Sequence, residues 1–309
     1  MFAEQTDVSS MWRALAGSRT LRPMNDLSDQ IRALGTEVTP HTIGATIALH
    51  LPLHQGVPED GVRVLRDLVY GPHERHRLDV FTAPSTPKPR PVVLFVHGGG
   101  FVGGNKHTPG SPFYDNVARW ATRNGLLGVN MTYRLAPEHR WPAGSEDVGS
   151  AVQWLRQNVA SHGGDRERIF VMGHSAGAVH VAGYVAREDG LRPSGAILVS
   201  GLYDTRSMQK NSFFEAYFGG AEAADLSFLD PLARTRVPLM IVLAEYDPAD
   251  FQRQAALIST ACVTQHQQWP RFLQLTGHNH LSTVFGLNAP GDRLGPQIQA
   301  FVRSVHGDV

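Results

Sequence analysis

The residues Gly173-His174-Ser175-Ala176-Gly177 follow an apolar run, Ile169-Phe170-Val171-Met172, and precede a helix-compatible stretch over 178–187. A serine on a sharp strand-to-helix turn sits in strained backbone geometry, and small neighbours let two chain segments approach it. Glycines on both flanks meet that need, so the pentapeptide reads as a nucleophile elbow whose chemistry is acyl transfer through a serine hydroxyl. The bare pattern is weak in a chain with 31 glycines; its place between strand and helix gives it weight.

Upstream, Val92-Val93-Leu94-Phe95-Val96 runs straight into His97-Gly98-Gly99-Gly100-Phe101. A glycine-rich loop there can turn backbone N–H groups toward the oxygen that gains charge when a serine attacks a carbonyl, and such donors cost no reorganisation during reaction. Gly98, Gly100 and Gly103 also satisfy G-x-G-x-x-G, the spacing of a dinucleotide-binding turn. That reading is set aside. Asn105, Pro109, Gly110 and Pro112 keep the stretch irregular where a helix should begin, and the next strand, ending near Asn130, offers no carboxylate for a ribose.

A serine nucleophile also needs a base and an acid that orients the base. The apolar run over 239–244 leads to Glu245-Tyr246-Asp247-Pro248-Ala249-Asp250, and Gly277-His278-Asn279-His280-Leu281-Ser282 carries two imidazoles. Pro248 stops its strand and pins a carboxylate at the C-terminal end, where open α/β sheets place their sites. His174 and His180 flank the elbow, where packing or a local hydrogen bond is the expected role. His73-Glu74-Arg75-His76 does not fit H-E-x-x-H and no other grouping has metal-ligand spacing, so no metal or other cofactor is implied.

These residues need a scaffold, and from residue 61 the chain supplies short β-rich runs separated by helical patterns. Strands are expected over 62–70, 76–81, 92–97, 128–133, 169–173, 195–200, 239–244 and 271–275. Near-continuous apolar runs suit central strands buried on both faces, which predicts an α/β chain with a mostly parallel sheet of about eight strands flanked by helices. Val148, Val152, Leu155 and Val159 form one helical stripe with Ser145 as its N-cap, and Ile298, Phe301, Val302 and Val305 form another. Apolar residues at helical spacing from Met11 and Trp12 through Ile31 and Leu34 predict an amphipathic helix over 7–34. Met208, Phe213, Phe214, Tyr217, Phe218 and Phe228 mark an irregular aromatic insertion over 205–230, expected to join the N-terminal helices as a helical lid. The proline-rich stretch 83–91 reads as a surface loop.

Composition narrows the partners. The chain has 309 residues, 42% apolar, with 28 Lys+Arg against 28 Asp+Glu, and fits one domain with an appended lid. Zero formal net charge and no dense basic run argue against nucleic acid and anionic membranes. A single cysteine, Cys262, excludes an internal disulfide and any cysteine-based zinc site. No apolar stretch is long enough for a membrane span, and the first twenty residues lack the order of a signal peptide, so a cytoplasmic location is the default expectation.

With Ser175 and the glycine loop as anchors, the chain resembles the hormone-sensitive-lipase-like, HGGG-type carboxylesterases of the α/β-hydrolase superfamily. Tyr133-Arg134-Leu135-Ala136-Pro137-Glu138-His139-Arg140-Trp141-Pro142-Ala143, ending in Glu146-Asp147-Val148, is similar to that family's long signature after its fourth strand. The resemblance covers roughly 61–305 and implies the α/β-hydrolase fold, with 61–309 as catalytic domain, 1–60 as an N-terminal helical lid segment and 205–230 as a lid insertion. It implies Asp247 as the acid, since Asp247-Pro248 stands where the family's loop reads D-P-x-x-D, ahead of Glu245 and Asp250. It favours His280, which precedes an apolar residue, over His278 as the base, and assigns the oxyanion hole to Gly99, Gly100 and Ala176. Phe101, His174, Phe213, Phe214 and Tyr217 are expected to face a small ester substrate of short to medium acyl chain. Relatives in that family often dimerise through an edge strand, which leaves a homodimer open. Two other functions fit the same motifs: an arylformamidase-type hydrolase of N-formyl aromatic amides, and a non-catalytic small-molecule receptor of the kind in which the base histidine is lost. Retention of Ser175, Asp247 and His280 argues against the receptor.

Overall fold

Strands without polar alternation must be buried on both faces, and the apolar runs of this chain are. The computed structural model describes residues 24–58, 61–84, 88–187, 190–219 and 225–306; Met11, Trp12 and the rest of the first expected helix up to residue 23 lie outside them. Eight strands form one sheet: β1 (Arg63–Val69), β2 (Arg77–Thr82), β3 (Arg90–Val96), β4 (Leu127–Met131), β5 (Gly164–His174), β6 (Gly195–Val199), β7 (Leu239–Tyr246) and β8 (Arg271–Asn279). Their spatial order is β1-β2-β4-β3-β5-β6-β7-β8, with β1/β2 and β2/β4 antiparallel and every other pairing parallel.

Ten helices surround the sheet among the described residues: α1 (Met24–Ala33), α2 (Pro40–His54), α3 (Asp115–Arg123), α4 (Ala143–Asn158), α5 (Ala176–Val185), α6 (Ser212–Phe218), α7 (Leu229–Arg234), α8 (Ala249–His266), α9 (Ser282–Phe285) and α10 (Gly295–His306). Strand alternation divides the core into two layers. Val92, Leu94 and Val96 join Val148, Val152 and Leu155 of α4 on one face, while Val93 and Phe95 join Trp120 of α3 and Phe301 of α10 on the other. Each such side chain, fully buried, contributes on the order of 1.5–3 kcal/mol.

Three local readings change. Ser145 does not cap α4: the helix starts at Ala143 after Pro142, and the Ser145 hydroxyl lies buried in the first turn. The expected 7–34 helix is described only from Met24, and a second helix, α2, follows it. Thr39 caps α2 through a reciprocal pair with Thr42, with Pro40 at the first helical position. β5 and β8 run longer than their apolar cores, because β8 continues through His278 to Asn279.

The register of the parallel strands positions the site. Val96 pairs with Gly173, His174 with Val199, Val199 with Val242, and Tyr246 with Asn279. The residues that follow β3, β5, β6, β7 and β8, namely His97, Ser175, Ser200, Asp247 and His280, therefore emerge side by side at one edge.

Candidate active site

Ser175 joins β5 to α5 with φ 55° and ψ −123°, a conformation that costs a non-glycine residue on the order of 1–3 kcal/mol. The surroundings hold it there: its N–H donates to the Val199 carbonyl at 2.9 Å, and its own carbonyl accepts from Ala178 N–H at 2.9 Å. Gly177 has to be glycine, because a Cβ there would collide with the Val96 carbonyl of β3. That close approach brings the elbow against the strand that feeds the glycine loop.

The loop after β3 turns back on itself. Gly99, at φ 141°, accepts from Gly103 N–H at 3.1 Å, and a Cβ on Gly99 would strike the Gly103 carbonyl. Gly100 and Phe101 also have positive φ, 59° and 71°. Tyr133, from the long signature, stacks on His97 at 4.4 Å and donates its hydroxyl to the His97 carbonyl at 2.8 Å. Gly98 lies against Ser175 and His174.

Across the site, Asp247 is buried and its carboxylate is spoken for on both oxygens. Oδ2 accepts from Ala244 N–H at 2.7 Å and from the Ser200 hydroxyl at 2.6 Å, and Oδ1 lies 2.6 Å from His280 Nδ1. A carboxylate facing Nδ1 keeps the proton on that nitrogen and leaves Nε2 with its lone pair. The His280 carbonyl accepts from His174 Nε2 at 2.8 Å and from the Thr283 hydroxyl at 2.9 Å, and the Phe251 ring packs 4.6 Å from the imidazole. His278 points elsewhere: its Nδ1 meets the Ser282 hydroxyl at 3.1 Å, and burial pushes it down to about 4. Glu245 accepts from Gly277 N–H at 2.6 Å, and Asp250 accepts from Gln209 N–H and pairs with Arg253. Of the three carboxylates in that turn, Asp247 is the one that meets an imidazole.

The aromatic set expected to face substrate divides. Phe213 is 47% exposed and lays its ring against Gly100. Phe101, Phe214 and Tyr217 are instead core residues: Phe101 stacks on Tyr217 at 4.5 Å, and the Tyr217 hydroxyl reaches His180 Nδ1 at 3.2 Å. Rings that bury their faces on one another and satisfy their hydroxyl internally offer little surface to a ligand. His174 is likewise buried, with its ring nitrogen on the His280 carbonyl. Burial pushes His97, His174 and His180 to about 3, so all three are neutral. In the long signature, burial works to raise the Asp147 carboxyl, but hydrogen bonds from His76 and Arg134 overcome it and hold it below the usual range.

Sequence reading missed Ser200, whose hydroxyl holds the Asp247 carboxylate. Its faint signal was a polar residue ending the apolar run of β6. Among the described residues no group of three or more His, Cys, Asp or Glu could hold a metal ion, and no helix is long and apolar enough to cross a membrane.

Known proteins resemble this chain in sequence and in fold. The chain is similar to the esterase LipC of Mycobacterium tuberculosis, 42% identical over 113 residues that make up 36% of this chain and 27% of that protein. It is similar to a gibberellin receptor of Oryza sativa subsp. japonica, 30% identical over 54% of this chain and 45% of the receptor. The chain thus matches less than half the length of either relative. Among solved structures, a hyperthermophilic esterase from the archaeon Pyrobaculum calidifontis superimposes with a TM-score of 0.69 at 24% identity, covering 92% of this chain and 99% of that one, a likeness of fold. Residues 93–269, more than half the chain and including the end of β3, the glycine loop, the elbow and Asp247, match a sequence family described as alpha/beta hydrolase fold. Because that match spans more than half of its residues, the chain belongs to the α/β-hydrolase fold family.

Proposed function

We propose that this protein is a carboxylic ester hydrolase acting on small esters of short to medium acyl chain through Ser175, His280 and Asp247. The observation that carries the reading is the 2.6 Å contact between Asp247 Oδ1 and His280 Nδ1, at the same sheet edge as the strained Ser175 turn. In the first half-reaction His280 Nε2 takes the Ser175 hydroxyl proton as Oγ bonds to the ester carbonyl carbon. The carbonyl electron pair moves onto oxygen, held by the N–H groups of Gly99, Gly100 and Ala176. Collapse expels the alkoxide, which takes the proton from His280 and leaves an acyl-serine. In the second half-reaction water gives a proton to His280 and attacks the acyl carbon; Ser175 leaves with that proton, and the carboxylic acid is released. Asp247 stabilises the imidazolium in each half without itself being protonated.

The described parts of the two expected lid segments, 24–58, 205–219 and 225–230, are assigned as the covers of the site, with Phe213 the substrate-facing ring over Gly100. The names of the similar proteins support an esterase, and the likeness to a receptor concerns a scaffold that two functions can share. The Asp247–His280 pair favours turnover, since binding alone has no use for an oriented base.

The test is intact mass after a fluorophosphonate, followed by peptide mapping. The reading expects one adduct on Ser175, absent in Ser175→Ala, sharply slowed in His280→Ala and unaffected in His278→Ala. A wild-type protein that takes no adduct is not a serine hydrolase. Rates on p-nitrophenyl butyrate against N-formylkynurenine then separate ester from formamide hydrolysis.

A further inference from the structure

His280 stands in a loop between the edge strand β8 and the short helix α9, a place where chain is ordinarily less constrained than in a sheet centre. A base has to hold its nitrogen within a fraction of an ångström of the nucleophile's proton, and a shift of about 1 Å can cost about 100-fold in rate. Asp247 orients the imidazole ring, and His174 and Thr283 hold the His280 carbonyl. The residue before it, Asn279, is held by a different part of the chain.

The Asn279 side chain is fixed at both ends. Its Oδ1 accepts from Ser282 N–H at 3.0 Å while its backbone N–H donates to Ser282 Oγ at 2.9 Å, a reciprocal pair that closes the loop around His280. Its Nδ2 donates to Thr46 Oγ1 on α2 at 2.8 Å, across 233 positions of sequence. The Thr46 hydroxyl spends its own proton on the Thr42 carbonyl at 2.7 Å, so its lone pair is aimed at Asn279. One turn pair further along α2, His54 Nε2 meets the Phe285 carbonyl at 2.8 Å. The helix therefore grips the chain on both sides of His280. A small cavity walled by Thr42, Thr46, Asn279 and His280 lies at the same junction. From α1, Arg32 Nε donates to the hydroxyl of Tyr246, the neighbour of Asp247, at 3.0 Å.

We infer that α2 is a working part of the catalytic apparatus, with Thr46 and Asn279 as positioning residues that set where the His280 imidazole stands. The inference rests on the reading of His280 as the base. Neither side chain touches substrate; both act through the loop backbone.

The experiment compares wild type, Thr46→Val, Thr46→Ser, Asn279→Leu and His280→Ala in three measurements: the rate of Ser175 labelling by a fluorophosphonate, kcat and KM on p-nitrophenyl butyrate, and the unfolding midpoint. Thr46→Val keeps the branched shape and removes the hydroxyl. It is expected to slow labelling and kcat about 10-fold with KM within about twofold, while Thr46→Ser, which keeps the hydroxyl, labels at the wild-type rate. Asn279→Leu supplies the same measurement from the other side of the contact should Thr46→Val fold poorly, and is expected to slow labelling at least as much. Wild-type labelling rates in Thr46→Val and Asn279→Leu overturn the inference, whatever the unfolding midpoint does. So does equal slowing by Thr46→Val and Thr46→Ser with a lowered midpoint, which is the mark of packing alone. A wild type that takes no adduct, or an unaffected His280→Ala, defeats the reading of the site instead, so the two failures are distinguishable.

Discussion

The acid–base side of the site and the glycine-loop side are built from different materials. Around Asp247 and His280 the contacts are directional: a main-chain N–H and a hydroxyl on the carboxylate, an imidazole and a hydroxyl on the His280 carbonyl, and the Asn279 amide donating to the Thr46 hydroxyl. Around Gly99 and Gly100 the neighbours are stacked rings, Phe101 on Tyr217, His97 on Tyr133, and Phe213 over Gly100. An imidazole that must point one way is held by bonds that have an angle. A loop that must leave room has a main-chain bond of its own at Gly99 and the Tyr133 hydroxyl on its His97 carbonyl, and for the rest is held by close packing and by residues without side chains. The difference teaches that activity should be sensitive to hydrogen bonds on one side and to volume on the other.

Asp247→Asn is the sharpest way to break that contrast, since it preserves volume and removes only the charge and the correct hydrogen-bond sense. It is expected to lower kcat about 10⁴-fold with KM little changed, read by steady-state kinetics. A loss under tenfold would mean that orientation matters less than the geometry argues. On the other side, Gly99→Ala changes no hydrogen-bonding group and adds one methyl, yet must move the Gly103 carbonyl or the loop. Displacing an oxyanion donor should lower kcat about 10²–10³-fold; kcat near wild type would show that the loop tolerates volume after all.

Acid should strike both sides together. Burial pushes His97, His174 and His180 to about 3, and His50 of α2 and His278 to about 4. Each binds fewer protons folded than unfolded, so the stability linked to them is complete above about pH 6.5 and is lost as pH falls toward 4. The slope approaches about 1.4 kcal/mol per pH unit for each fully buried histidine. The unfolding midpoint is expected to hold steady from pH 8 to 7 and to drop below 6; a midpoint that rises on acidification contradicts the burial of these rings. The smallest effect on stability belongs to Phe213→Ala, an exposed ring, at about 0.5 kcal/mol or less. Its signature is a changed preference among acyl chain lengths in KM, and unchanged selectivity would remove Phe213 from the substrate's surroundings.

Much of this site is legible in short stretches of chain. The elbow around Ser175 and the loop at His97 are each five consecutive residues with a strand before them, so local sterics are enough to find them. The acid and base needed the resemblance, because three carboxylates share one turn and two imidazoles stand two positions apart. Helix α2 escaped a periodicity reading because its apolar residues circle the helix, although Thr39-Pro40 is a sound helix start. Phe101, Phe213, Phe214 and Tyr217 were expected to face substrate, yet hydrophobicity marks burial and exposure to a ligand alike, and Phe101, Phe214 and Tyr217 lie in the core.

By itself the sequence determined the strand runs, the parallel sheet, the strained serine turn and the glycine loop, since each follows from side-chain volume and backbone freedom within a few residues. The tertiary structure decided which imidazole meets Asp247, that Ser200 serves that carboxylate, and that Thr46 reaches Asn279. Those contacts join residues dozens to hundreds of positions apart, and only strand register and helix docking bring them within hydrogen-bond distance.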